Sequence, residues 1–402
     1  MSARTDSRVG LRARGWKGYT ALILGWQVAA SVCFYSVYAV TPFVRSEFGV
    51  SATAVGVLVS TLTAGYTLCL LPVGSIIDAY GEDLVLFVGL IGLALGAALV
   101  TTAPTYPFLL GAVFVLGAFY ATAIPGTNKA VFNAIPADRL NFSMGIKQVG
   151  VTAGSGISAL LIPWFGEETA VGWTGGFLLV AAIAVVVALA FRLVYDAGGA
   201  ADGGENGGIR THLRNPEYVL LAVAGFFLAA GLFTTTAYTI LYVDDVVGAG
   251  VVFAGVTLAA AQVTGSAGRI VFGWLADRLT GSVTVSTLGI LAVQAGASAV
   301  LFLVVTVVET PVVALACFAL LGFFVLGFTG VYYSCIGSLV PDEEIGSASS
   351  GGQLALNSGA LVAPPAFGSL VDAIGYDAAW TMLALGALAS LALLLVLLRR
   401  NR

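Results

Sequence analysis

The chain has 402 residues, 59% of them hydrophobic and only 9% charged, where an average soluble domain carries about 25% charged residues. That balance excludes an ordinary water-soluble globular protein, and the apolar runs reach the roughly 20 residues a helix needs to cross a bilayer. The net charge of -4 says little by itself, because loops and core contribute to it differently.

Residues 1–18 form a basic tail with Arg4, Arg8, Arg12, Arg14 and Lys17. The apolar run behind it is too long for a signal-peptide core and no small-residue cleavage site follows, so it reads as a retained helix. Hydropathy and turn residues then predict six spans at 19–42, 53–77, 84–103, 107–135, 141–165 and 171–195. The stretch 196–216, "DAGGAADGGENGGIRTHLRNP", is polar and glycine-rich and reads as a linker. Six more spans follow at 217–243, 251–276, 283–307, 311–340, 345–371 and 378–398, with 399–402 as a short tail. The expected domains are therefore an N-terminal bundle over 19–195 and a C-terminal bundle over 217–398.

With both termini in the cytoplasm, thirteen of the seventeen basic residues lie on that side, and only Arg45 lies outside. This is the positive-inside pattern. The other three, Lys129, Lys147 and Arg269, fall within the spans. Counting 1.5 Å per residue back from Asp277 puts Arg269 about 12 Å above the cytoplasmic boundary. No Asp or Glu lies well inside any span, so these cations lack an embedded anion. A guanidinium can grip a carboxylate or phosphate with two parallel hydrogen bonds. Alternatively, Arg269 bonds helix-end carbonyls or Asp277, and lysines can snorkel to water. Cys33, Cys69, Cys317 and Cys335 sit in apolar segments and read as core residues. The single histidine, His212, falls in the linker, so no histidine-based metal site is expected.

The two halves resemble each other. "GSIIDAYGE" after span 2 and "GWLADRLTG" after span 8 both read G-x-x-x-D-x-x-G, and "FVLG" recurs at 114–117 and 324–327. Six spans per half make these parallel repeats. With those motifs in view the chain resembles the major facilitator superfamily over essentially its whole length. The resemblance implies an all-α membrane protein of two parallel six-helix bundles, with alternating access as the mechanism. It also implies that the loops after spans 2 and 8 govern switching, through Gly74, Asp78 and Gly81 in one and Gly273, Asp277, Arg278 and Gly281 in the other. The first loop departs from the family pattern, with Ala79, Glu82 and Asp83 where basic residues are expected.

Polar stripes at helical spacing mark Gln27, Ser31, Tyr35 and Tyr38 in span 1, and Tyr120, Thr127 and Asn128 in span 4. They also mark Thr235, Tyr238, Thr239 and Tyr242 in span 7, and Thr329, Tyr332 and Tyr333 in span 10. The family resemblance makes these four spans the lining of a central cavity. Gln262 and Ser266 share the face of Arg269 in span 8. Spans 5 and 11 are Gly/Ala/Ser-rich seams that allow close approach, with Gln148 beside Lys147 in one and Gln353 and Asn357 in the other. Pro163 and Pro364-Pro365 are expected to end the smooth helix there.

"GIKQ-x-G" with "GR-x-x-x-GWLADR" resembles the branches handling small organic anions, nitrate and sugar phosphates; Leu70 stands where nitrate porters carry an arginine, which disfavours nitrate. The expected function is secondary transport of a small organic anion such as a carboxylate. The alternatives are a same-fold transporter of a neutral or hydrophobic solute, of efflux type, and a membrane-embedded sensor or enzyme. No phosphate-binding loop of the G-x-x-x-x-G-K-S/T type appears. The expected partners are a small-molecule substrate, a coupling proton or sodium ion, and the lipid bilayer of the plasma membrane. No nucleic acid, cofactor, metal or catalytic residue is expected, and the chain is expected to be monomeric.

Overall fold

The computed structural model describes residues 7–136, 139–195, 212, 214–279, 282–341 and 344–401. Among them, twelve helices are long and apolar enough to cross a membrane, and there is no strand. The all-α reading of the sequence is therefore borne out. In chain order the helices are α1 (Ser7–Ala39), α2 (Thr41–Phe48), α3 (Ala52–Tyr80), α4 (Glu82–Thr101), α5 (Tyr106–Tyr120), α6 (Ala123–Ala134), α7 (Leu140–Glu168) and α8 (Gly172–Val194). They continue as α9 (Pro216–Asp245), α10 (Val251–Arg278), α11 (Val283–Val305), α12 (Pro311–Leu321), a π turn (Gly322–Leu326), α13 (Thr329–Ser338), α14 (Ile345–Ile374) and α15 (Tyr376–Arg400). Most of the linker and Gly281 lie outside the described residues, as does the side chain of Asp78.

Contacts divide the chain into two units, Met1–Val40 with Thr61–Gly204, and Thr41–Ser60 with Glu205–Arg402. Each unit repeats the same internal pairings. In the first, α1 packs on α7 and α4 on α8; in the second, α9 packs on α14 and α11 on α15. Paired glycines bring α3 against α5: a Cβ at Gly65 would lie 2.2 Å from the Phe114 carbonyl oxygen, and one at Gly117 would lie 2.0 Å from that of Leu62. The second unit does the same with α10, where a Cβ at Gly268 would meet the Phe323 oxygen at 2.2 Å. Such contacts need a hydrogen in place of a methyl group, which is why small residues recur at membrane helix crossings.

Spans 4 and 10, expected as single helices, are both interrupted. Pro125 has no N–H to offer the Ala121 carbonyl, and α5 gives way to α6 at Ala121–Thr122. In span 10, side chains of neighbouring helices bond carbonyls in and just before the π turn. Thr264 Oγ1 donates to Ala319 O at 2.6 Å, Gln294 Nε2 to Phe324 O at 3.4 Å, and Arg269 Nε to Leu326 O at 3.1 Å.

The prolines expected to end spans 5 and 11 do not. α7 runs through Pro163 to Glu168, and α14 runs through Pro364 and Pro365 to Ile374. Pro365 cannot bond the Leu361 carbonyl, four residues back. The Ser60 hydroxyl takes that carbonyl at 2.7 Å. Residues 41–60 belong to the second unit through several such bonds. Asp372 accepts from Ala52 N at 2.9 Å and from Thr53 N at 2.8 Å, and Arg45 pairs with Asp245. Burial opposes the charge on Arg45, but the Asp245 carboxylate outweighs it and holds the guanidinium above its ordinary range.

Candidate functional site

In the first unit the expected polar residues of spans 1, 4 and 5 come together. Gly150 and Gly154 let α7 close on α1: a Cβ at Gly154 would lie 2.5 Å from the Ser31 Cβ, and one at Gly150 would lie 3.0 Å from the Gln27 Cβ. Gln27 Nε2 donates to Ser31 Oγ at 3.2 Å, Thr127 Oγ1 donates to Gln27 Oε1 at 3.2 Å, and Ser31 Oγ lies 3.3 Å from the Tyr120 hydroxyl. Next to Thr127, Asn128 accepts a hydrogen bond from the Lys147 ammonium. Lys147 is only 1% exposed. Among the described residues no carboxylate pairs with it, so a desolvated cation is held by a neutral amide. Phe34 stacks on Tyr120 with centroids 4.1 Å apart, and Tyr35 and Tyr38 adjoin them, forming an aromatic wall along α1.

The other expected residues of this unit lie elsewhere. Lys129 donates to Ile77 O at 3.3 Å, near the C-terminus of α3, and Gln148 is exposed. The departure of the first loop from the family pattern has a local explanation. Glu82 is 2% exposed and accepts from Asn133 Nδ2 at 2.7 Å and from the Tyr195 hydroxyl at 2.9 Å. Asp83 lies 4.0 Å from Arg192. Burial first, then the Glu82 carboxylate, holds the Tyr195 hydroxyl above its ordinary range, so it remains a donor. Sequence reading missed this buried carboxylate because it sits at a helix start, where an acid is also favoured by the helix dipole.

In the second unit Arg269 is half-buried and anchored through Nε on Leu326 O. Gln262 is buried, and the Ser266 hydroxyl donates to the Gln262 carbonyl at 3.0 Å. Gln353 and Asn357 are joined at 2.8 Å, and the Tyr333 hydroxyl donates to Gln353. The hydroxyls of Tyr332 and Thr235 are buried with no hydrogen-bond partner among the described residues. Tyr238 is engaged with backbone, donating to Ala52 O at 2.7 Å and lying 3.0 Å from Pro364 O. After span 8, a Cβ added at Gly273 would meet no atom within 4 Å, Asp277 is exposed, and Arg278 stacks on Trp274 at 4.2 Å.

Two units with the same helix pairings, each interrupted at its fourth span, match a known architecture, and the sequence profile of the Major Facilitator Superfamily matches residues 23–351. The chain belongs to that superfamily. It is 22% identical to a D-galactonate transporter of Escherichia coli O6:H1 over 92% of this chain and 93% of the relative. A hexuronate transporter of Bacillus subtilis is 25% identical over 89% and 88%. Monocarboxylate transporter 13 of Bos taurus is 26% identical over 76% and 71%. Among solved structures, a bacterial homologue of the human lysosomal transporter Spinster, inward-facing, superposes with a TM-score of 0.75 at 16% identity, covering 96% of both chains. A nucleoside transporter superposes at 0.78 and 13% identity, covering 95% of this chain and all of the other. As a Major Facilitator Superfamily protein with twelve spans, the chain is a multi-pass membrane transporter.

Proposed function

We propose that this transporter moves a small organic anion, a carboxylate, by alternating access as a secondary active carrier in the plasma membrane, with both termini cytoplasmic. The observation that carries the reading is Lys147, a cation 1% exposed whose partner is the neutral Asn128. Among the described residues no carboxylate meets it; a charge buried in a membrane protein defaults to a functional role, and an anionic solute would supply the opposite charge. Arg269 is the second cation of the reading, its fork oriented by the Nε bond to Leu326. The relatives named above support it, since galactonate, hexuronate and monocarboxylate all carry a carboxylate. The positive-inside distribution of Lys and Arg supports the orientation.

The test is ligand-induced thermal stabilisation of the purified protein across carboxylates, sugar phosphates, neutral sugars and cationic drugs. Uptake into proteoliposomes under an imposed proton or sodium gradient follows. Stabilisation by carboxylates alone supports the reading; stabilisation by neutral or cationic solutes alone overturns it in favour of an efflux-type carrier.

A further inference from the structure

The Asn128 amide that meets Lys147 stands on α6, a helix of 12 residues. Because α5 gives way to α6 at Ala121–Thr122, side chains and close contacts set the rotation of α6 about its own axis. Next to α4, a Cβ at Gly126 would lie 2.7 Å from Leu86 Cδ2. Thr127 Oγ1 donates to Gln27 Oε1 of α1 at 3.2 Å, Lys129 to Ile77 O of α3 at 3.3 Å, and Asn133 Nδ2 to Glu82 Oε1 of α4 at 2.7 Å. The Asn133 bond is at the end of α6 remote from the break, and so has the longest lever on the helix.

Glu82 is well fixed to serve as that anchor. It is 2% exposed, and the oxygen that takes Asn133 also accepts from the Tyr195 hydroxyl at 2.9 Å. The Tyr195 ring stacks on Phe191 of α8 with centroids 4.7 Å apart and meets Tyr19 of α1 edge-on at 6.0 Å. One carboxylate oxygen therefore ties the end of α6 to the end of α8. Asn128 and Asn133 are separated by about 140° around the helix and about 7.5 Å along it. One faces Lys147 in α7 and the other Glu82 in α4. A turn of α6 by about 15° would carry a group about 5–6 Å from the axis through about 1.5 Å. That takes a hydrogen bond out of its range of about 2.7–3.2 Å.

We propose that Glu82 is a positioning residue for the Lys147 site: through Asn133 it sets the rotation of α6, and with it the aim of the Asn128 amide at the Lys147 ammonium. Its effect on carboxylate binding rests on Lys147 being the cation that receives the solute. The link from Glu82 to Lys147 is a property of the protein without ligand.

The test is nuclear magnetic resonance of the full-length protein in lipid nanodiscs, labelled with ¹³C-lysine. The lysines of the chain are Lys17, Lys129 and Lys147, and Lys147→Met assigns the buried one by the loss of its signal. Without ligand, the Lys147 side-chain signal should shift in Glu82→Ala and in Asn133→Ala. It should return close to its wild-type position in Glu82→Gln, whose amide oxygen still accepts. Gly268→Ala, in the second unit, disturbs packing alone and should leave the signal in place. Asn133→Ala keeps Glu82 on Tyr195, so it remains readable if Glu82→Ala does not fold. With D-galactonate as the probe, both alanine variants should bind about five-fold more weakly, one hydrogen bond's worth. A Lys147 signal that stays in place in Asn133→Ala, or that Gly268→Ala moves equally, would overturn the proposal. A signal that moves as expected in a protein that no carboxylate stabilises supports the positioning role and overturns the carboxylate reading instead.

Discussion

The Lys147 ammonium in α7 donates to the side-chain oxygen of Asn128 in α6, and that neutral amide is the partner a nearly inaccessible cation has. Desolvating a lone ammonium costs several kcal/mol, which outweighs the roughly 1–3 kcal/mol for the hydrogen bond that Asn128 loses with it. Lys147→Met should therefore keep or raise the melting temperature of the empty protein. The same variant should weaken carboxylate binding by on the order of 2–5 kcal/mol, the range for truncating a desolvated charge pair. A lower melting temperature with affinity unchanged would make the lysine a structural residue.

Arg269 gives a second test. Lysine keeps the charge but has neither the Nε donor that meets Leu326 O nor a planar fork. Arg269→Lys should weaken carboxylate binding by about 1–3 kcal/mol, the range for a hydrogen bond to a charged group. Affinity and melting temperature are measured with and without ligand. Unchanged affinity with a lower melting temperature would leave Arg269 as a brace of the π turn alone.

Glu82 is a prediction about stability. Glu82→Ala leaves Asn133 Nδ2 and the Tyr195 hydroxyl without their acceptor, and a buried orphaned donor costs about 1–3 kcal/mol. The melting temperature should fall clearly for Glu82→Ala and less for Glu82→Gln, which keeps one acceptor oxygen. Tyr195→Phe combined with Glu82→Ala should cost less than the sum of the single changes, as for any pair in direct contact.

Two glycines of α10 separate packing from switching. A Cβ at Gly268 would meet the Phe323 oxygen at 2.2 Å, whereas one at Gly273 would meet nothing within 4 Å. Gly268→Ala should lower stability by about 1–3 kcal/mol, the usual cost of overpacking. Gly273→Ala should leave the melting temperature unchanged and substrate affinity within a few-fold while slowing transport in proteoliposomes. Equal loss of binding and turnover would remove the switching role that the family resemblance implies for this end of α10.

The span count, the helical class and the family were all readable along the chain, because hydropathy, helical periodicity and a loop motif are local properties that do not depend on what packs against them. The same locality explains the misreadings. Pro365 looked like the end of a helix because the hydroxyl that satisfies Leu361 O belongs to Ser60, about three hundred residues earlier in the chain. His212 looked like part of a solvated linker, although Ser347, Glu344 and Tyr218 enclose it. In the sequence Lys129, Lys147 and Arg269 were intramembrane cations at similar depths, told apart only by side-chain chemistry, which favoured Arg269 for anion contact. Tertiary packing distinguishes them: a helix-end carbonyl takes Lys129, a π-turn carbonyl takes Arg269, and close approach of α7 to α1 at Gly150 and Gly154 encloses Lys147. Burial and partnership of a charge depend on backbones brought together from distant parts of the chain, so the fold alone decides which cation is enclosed with, among the described residues, a neutral amide as its partner.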